Sequence, residues 1–252
     1  MSPRHNRRRY KRRARFGFLY KLLAVIAMLA AVVMGATVFF RVEEMVVMGN
    51  QRYTAAQIID ATGVVQGDNL FGMNKFETAR QIRRQLPYVE GVNIRRGWPD
   101  TLIITVTECE AAAQVTGEKG QWLISRSGKV LELARGITQN VIAVEGLNAV
   151  QPEAGLPLVV REEQQIRGDA LLSLLNALEQ CGMLKKVTYI DMTSPSRILM
   201  DFDVRFTVKL PVNGDFNYLL GAMGQAVDTL EDYETGALDL TVKDYTVVFS
   251  PD

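Results

Sequence analysis

Nine basic residues and no acidic ones occupy the first 21 positions, and the next 19, Leu22 to Phe40, carry no charge. As a helix rising about 1.5 Å per residue, that uncharged run reaches roughly the 30 Å of a bilayer's hydrocarbon core. Arg4, Arg7, Arg8, Arg9, Lys11, Arg12, Arg13, Arg15 and Lys21 all precede it. Such an excess of positive charge keeps the N-terminal side in the cytoplasm, so everything from about Arg41 onward is expected outside. Phe16, Phe18 and Tyr20 suit the aromatic belt at the inner boundary. A cleaved signal peptide has a similar basic start, but the apolar run is long for one, and Val33-Met34-Gly35 is a poor small-residue cleavage site. The reading is an uncleaved single-pass anchor.

Setting the tail aside changes the electrostatics. The chain as a whole is near neutral at +1, but beyond Lys21 it has 20 basic residues against 28 acidic ones, a balance of about −8. A net acidic surface repels nucleic acid, so the tail reads as topogenic and lipid-facing, and no nucleic-acid partner is expected. His5, in the tail, is the only histidine, which removes Ser-His-Asp, Cys-His and His-ligated metal schemes from the remainder. The adjacent acids Glu43/Glu44, Glu162/Glu163 and Glu231/Asp232 are the remaining candidates for two-carboxylate chemistry, but neighbours in sequence usually point apart and simply solvate a surface. Gly63, Gly67 and Gly72 are spaced as turns and lack the Lys-Ser/Thr of a phosphate loop. Cys109 and Cys181 form neither a Cys-x-x-Cys nor a metal spacing. No catalytic residue, cofactor, metal or small-molecule substrate is assigned.

From Val42 the pattern is strand, two helices, two strands. Val42–Met48 ends at the turn Gly49-Asn50. Thr54 with Gln57 is a capping box opening a helix whose apolar face carries Ile58 and Ile59. Asn74 with Glu77 opens a second, where Phe76, Ala79, Ile82 and Leu86 are spaced as a buried stripe while Arg80, Arg83 and Arg84 face away. Alternation over Val92–Arg95 and Thr101–Glu108 predicts two strands around the turn Gly97-Trp98-Pro99-Asp100. Trp98 is expected to pack over the sheet end. A three-stranded sheet with two helices on one face follows, with an edge strand open to pairing.

The runs Val46-Val47-Met48-Gly49-Asn50, Gly67-Asp68-Asn69-Leu70 and Leu86-Pro87-Tyr88-Val89 resemble the POTRA domain of the FtsQ/DivIB cell-division proteins, and Arg95-Arg96-Gly97-Trp98-Pro99-Asp100-Thr101-Leu102 does so most specifically. The basic tail and single span resemble the same family. One departure is visible: the family commonly continues Glu-x-x-Pro-Val-Ala, where this chain has Glu108-Cys109-Glu110-Ala111-Ala112-Ala113, which leaves the junction geometry open.

Beyond that alanine-rich junction the chain is β-rich. Gln121–Ser125 and Lys129–Leu133 flank Arg126-Ser127-Gly128 as a hairpin. Val141–Glu145 and Leu158–Val160 are strand candidates, Gln164–Gln180 is an amphipathic helix, and Val187–Asp191, Ile198–Phe202 and Phe206–Leu210 are three strands in succession. A helix over about Phe216–Tyr233 and strands Ala237–Thr241 and Tyr245–Phe249 follow. The whole is predicted as α+β: a tail (1–21), a transmembrane helix (22–40), a β-α-α-β-β POTRA domain (42–109) and a β-rich domain with two helices packed on its sheet (111–252). The two domains are expected to abut without a flexible linker.

The resemblance implies a non-enzymatic division scaffold, enriched at the septum, that links cytoplasmic and extracytoplasmic division proteins. Its partners would be of the FtsB/DivIC and FtsL type, upstream of septal peptidoglycan synthesis. The residues proposed to contact them are Tyr245, Thr246, Val247, Val248 and Phe249, as a strand edge, together with Arg83 and Arg84. The same five residues also fit a strand that only closes the core. Two other classes fit less well: a membrane-tethered cell-wall enzyme, which the missing histidine disfavours, and an envelope transport module, whose C-terminal barrel finds no counterpart in strands that alternate with helices and stop at Asp252.

Overall fold

A computed structural model describes residues 10–136, 140–242 and 247–252, with residues 10–17 and 36–38 described by backbone alone. Helix α1 (Tyr10–Phe39) begins inside the basic tail, because Lys, Arg and Ala are good helix formers and no breaker separates them from the apolar run. Its apolar stretch, Phe18–Gly35, is long enough to cross a membrane and is wholly uncovered by protein.

The next three strands and two helices are β1 (Glu44–Met48), α2 (Ala55–Thr62), α3 (Lys75–Gln85), β2 (Val89–Gly97) and β3 (Thr101–Glu108). The strand order is β1-β3-β2, with β1 parallel and β2 antiparallel to β3. Both helices pack on one face over Ile58, Ile82, Leu102, Ile104 and Val106. The Thr54–Gln57 capping box forms as read. Asn74 caps α3 by accepting from the N–H groups of Phe76 and Glu77. The stripe on α3 differs at one position. Thr78, Ala79 and Ile82 are buried, whereas Phe76 is 85% exposed. A spacing of three places Phe76 near Ala79 on the helical wheel, but Phe76 stands in the first turn of α3, where no other element covers it.

The remainder forms one nine-stranded sheet: β4 (Ala113–Gly117), β5 (Gly120–Ile124), β6 (Val130–Leu133), β7 (Ile142–Ala149), β8 (Val187–Asp191), β9 (Arg197–Phe202), β10 (Phe206–Pro211), β11 (Gly236–Asp239) and β12 (Val248–Pro251). Their order is β12-β11-β10-β9-β8-β7-β4-β5-β6. Parallel neighbours need a crossover, and for two of the three parallel pairs of this sheet, β7–β8 and β10–β11, a long helix supplies it. Helix α4 (Gln165–Gln180) joins β7 to β8, and α5 (Phe216–Asp228) joins β10 to β11. Both cover the same face, where Leu171, Leu174, Leu219 and Met223 meet Ile190, Met200, Phe202 and Val208. The opposite face carries Thr207, Lys209, Asp201 and Glu145, as strand alternation requires.

Several boundaries differ from the expectation. Strand β4 arises from the alanine-rich junction, where Ala113 and Val115 are buried and too small a pattern marks them in sequence. Leu158–Val160 makes only an isolated bridge, Val160 to Ala149, and α5 stops at Asp228. The last strand lies at Val248–Pro251; Tyr245 and Thr246 fall outside the described residues.

Candidate functional site: interaction surfaces

Strand β12 is an outer strand of the nine-stranded sheet. It pairs antiparallel with β11 in the register Leu238↔Phe249 and Asp239↔Val248, and among the described residues no strand lies beside its other edge. Val247 and Phe249 turn inward, Phe249 meeting Phe206 edge-to-face with ring centroids 6.2 Å apart. Val248 and Ser250 face solvent. The two sequence readings are therefore compatible: one face of the strand closes the core while its outer edge stays open. Gly236 makes this possible. At φ +152° its backbone lies so close to β12 that an added Cβ would stand 2.3 Å from the Ser250 carbonyl oxygen.

Beside β12 the β9–β10 hairpin turns through Asp203 and Val204, both at positive φ, and the Val204 side chain is 92% exposed. Arg205 holds the neighbouring loop by donating to the carbonyls of Glu231 and Asp232 at 3.2 and 2.9 Å. A shallow cavity of about 390 Å³ opens between this hairpin and the end of β12. On the same solvent-facing sheet surface Tyr189 donates to the Glu145 carboxylate, which pushes the phenol up to about 12. The Thr241 hydroxyl, donating at 2.6 Å, holds the Asp239 carboxyl below its usual range.

Arg83 and Arg84 sit in the last turn of α3, but only Arg84 is exposed. Arg83 does not face away as expected. It is half-buried and lines a cavity of about 480 Å³ between the two domains, with Lys129, Glu90 and Pro157. The tertiary contact explains the difference: α3 ends against the loop at Gly155, where a Cβ would stand 2.4 Å from the Arg84 carbonyl oxygen. Lys129 donates to the Val89 carbonyl at 2.7 Å, and burial first, with the like charge of Arg83 adding to it against Cys109 and Glu90, lowers its pKa.

The junction between the domains is also built on Tyr88. Its hydroxyl donates to Glu132 at 2.5 Å, and the Arg52 guanidinium covers its ring at 3.6 Å and pairs with Glu132 at 3.5 Å. Burial, then the Glu132 carboxylate, drives the Tyr88 pKa upward. Glu108, the last residue of β3, accepts from three successive backbone N–H groups, Gln51, Arg52 and Tyr53, at 3.0, 2.6 and 3.1 Å. Cys109 donates to the Tyr88 carbonyl at 3.4 Å, and burial raises its thiol to about 12. Cys109 and Cys181 are both free thiols.

At the other end of the first domain, Phe40 meets Phe71 and Trp98 edge-on, with centroids 5.0 and 5.1 Å apart. Arg96 donates to the carbonyls of Leu70 and Met73 at 2.6 and 3.3 Å. Trp98 rests on these rings, yet it is 73% exposed and not tucked over the sheet. Nothing in the sequence spacing of Phe40, Phe71 and Trp98 places them together.

A β-α-α-β-β unit following an apolar helix defines a membrane-anchored protein with a POTRA domain, and residues 40–108 match the family described as "POTRA domain, FtsQ-type". The chain is 23% identical over 196 residues to the cell division protein DivIB of Clostridium acetobutylicum, covering 76% of this chain and 74% of that one. To the cell division protein FtsQ of Corynebacterium glutamicum it is 25% identical, across 66% and 77% of the two chains. To FtsQ of Streptomyces coelicolor it is 30% identical, across 35% and 36%. Residues 40–108 thus form a POTRA domain of the FtsQ type, and the chain as a whole is similar to cell-division proteins named DivIB and FtsQ.

Proposed function

We propose that the protein is a binding scaffold of the division machinery that acts without catalysis. The basic tail lies in the cytoplasm and the two folded domains lie outside, where they gather partners of the FtsB/DivIC and FtsL type at the septum in support of peptidoglycan synthesis. The observation that carries this reading is the open outer edge of β12. An extended partner segment adds there as a tenth strand: its main chain supplies affinity, and alternate side chains meet Phe249 on one side and Val248 and Ser250 on the other. Tyr245 and Thr246 belong to the same proposed surface. Arg84, exposed at the end of α3, offers a second contact, with Arg83 contributing from the interdomain cavity.

Depletion of the protein in its native cell, complemented by fluorescent copies, tests the proposal. The unaltered copy gathers at midcell and restores division. A Val248→Lys copy, with a charge on the open edge, is expected to reach the membrane at normal abundance and to leave cells filamentous or chained, with pull-down of an FtsB/DivIC-type partner lost. Normal division with the partner still bound would refute the strand-addition surface. Normal division on depletion of the protein itself would refute the scaffold role.

A further inference from the structure

The exposed aromatic rim of the first domain sits where the chain leaves α1, and nothing in the scaffold reading uses it. We infer that Phe39, Phe40, Phe71 and Trp98 form a docking surface for the outer boundary of the bilayer that α1 crosses, and so fix the POTRA domain against the membrane.

Distance along α1 sets the depth of the rim. The apolar window ends at Gly35, and α1 continues to Phe39. Four residues add about 6 Å of helix. The headgroup layer on each side of the hydrocarbon core is of comparable thickness, roughly 5–8 Å. Whether the span is counted from Phe18 or from Leu22, the helix leaves the hydrocarbon core within a few residues of Phe39, so Phe39 emerges at the boundary with that layer, and Phe40, whose ring lies 5.2 Å from that of Phe39, emerges with it. Trp98 and Phe71 are held to Phe40 at 5.1 and 5.0 Å, so they share its depth. Indole and phenyl rings partition favourably into this layer, where an apolar face and, for Trp, a ring N–H are both accommodated.

The rim is fixed before it meets lipid. Leu70 N–H donates to the Phe40 carbonyl, Val42 N–H to that of Asp68, and Gly67 N–H to that of Val42, each at 2.8 Å. Arg41 bridges to Asn69, and Arg96 fastens the loop carrying Phe71 from behind, with its guanidinium 5.0 Å from that ring. Little further ordering is needed on docking, which favours an otherwise shallow contact. Charge near the rim is of both signs: Arg41 is accompanied by Glu43, by Asp68, which accepts from Val65 N–H, and by Asp100, which holds the Thr101 hydroxyl. Ring insertion and not lipid charge is therefore the source of attachment, and docking is expected on neutral lipid.

The inference rests on α1 spanning the bilayer, and the test separates the two. The full chain carrying Trp122→Phe, which leaves Trp98 as the sole tryptophan, is reconstituted into phosphatidylcholine vesicles and floated. Trp98 emission is then quenched either with acrylamide or with lipids labelled shallowly or at the chain terminus. The expected result is acrylamide quenching reduced about three-fold relative to the urea-unfolded chain, with shallow labels quenching more than deep ones. Adding Phe71→Asp is expected to restore acrylamide access. Acrylamide quenching as in the unfolded chain, with no effect of labelled lipid, overturns the docking while leaving the span intact. Failure to float overturns both. If Trp122→Phe does not fold, the difference spectrum between the unaltered chain and Trp98→Phe gives the same reading.

Discussion

Replacing Gly236 with alanine is expected to detach β12 while leaving the rest of the sheet folded. The new Cβ meets the Ser250 carbonyl oxygen at 2.3 Å and the Pro251 Cα at 2.9 Å, both backbone groups that a rotamer change cannot move aside. Detachment gives up the burial of a half-exposed phenylalanine, Phe249, about 1–1.5 kcal/mol. It also gives up its pairing with Phe206, about 1 kcal/mol, and the β11–β12 ladder bonds at about 1 kcal/mol net each. Against this, four ordered residues regain backbone freedom at roughly 1–2 kcal/mol each. The two sides nearly cancel, so the strand is held lightly and its loss lowers global stability by no more than about 2 kcal/mol, a shift of roughly 4–8 °C in Tm. Hydrogen exchange on the full chain reads this directly: amides of residues 248–250 lose protection while those of β8 to β10 keep theirs. Unchanged protection at 248–250 would refute the packing argument. Retained partner binding with β12 unprotected would refute the edge as the docking surface.

Four further outcomes follow from the geometry. Glu108→Ala removes the acceptor shared by three backbone N–H groups and should cost about 2 kcal/mol in urea titration, reduced from the sum of three bonds because the site is solvent-accessible. Val204→Gly relieves a β-branched residue at φ +60° and should raise stability by about 1 kcal/mol, measured by thermal melt. Alkali should loosen the domain junction: the Cys109 thiol and the Tyr53 and Tyr88 phenols have folded pKa values above their ordinary 9.0 and 10.0. The folded state thus holds protons that the unfolded state releases, so the stabilisation is full below pH 9 and declines as pH rises from about 9 towards 12. Lys129, shifted downward, works in the opposite direction. Tyr88→Phe should flatten that decline, and an unaltered profile would exclude the Tyr88 contribution. Finally, Arg84→Glu should weaken partner pull-down with an unchanged melt, whereas Arg83→Glu should also shift the melt, because that side chain faces Lys129 between the domains.

Much of this fold could be read from local pattern. The caps at Thr54 and Asn74 are written in residues that compete for backbone N–H groups, and the alternation in β3, β9 and β10 follows from one buried face. Pattern failed where burial depends on distant chain. Phe76 has the spacing of a core residue and no neighbour to cover it, Ala113 and Val115 are buried only because β5 and β7 flank them, and Arg83 is enclosed by a loop some 70 residues later. The motif around Trp98 was conspicuous in sequence, but its place beside Phe40 was not, since the two are brought together by loop hydrogen bonds and not by periodicity.

The sequence by itself determined the apolar anchor, the charge asymmetry around it, the helices and strands of the first domain in order, most of those of the second, and the family resemblance, because each depends on composition or on spacing within a few residues. Only the tertiary structure decided which strands lie at sheet edges, that β12 has one packed face and one open edge, and that four aromatic rings meet where the chain leaves its helix. Strand order and side-chain enclosure depend on pairings across the whole chain, and no local pattern encodes them.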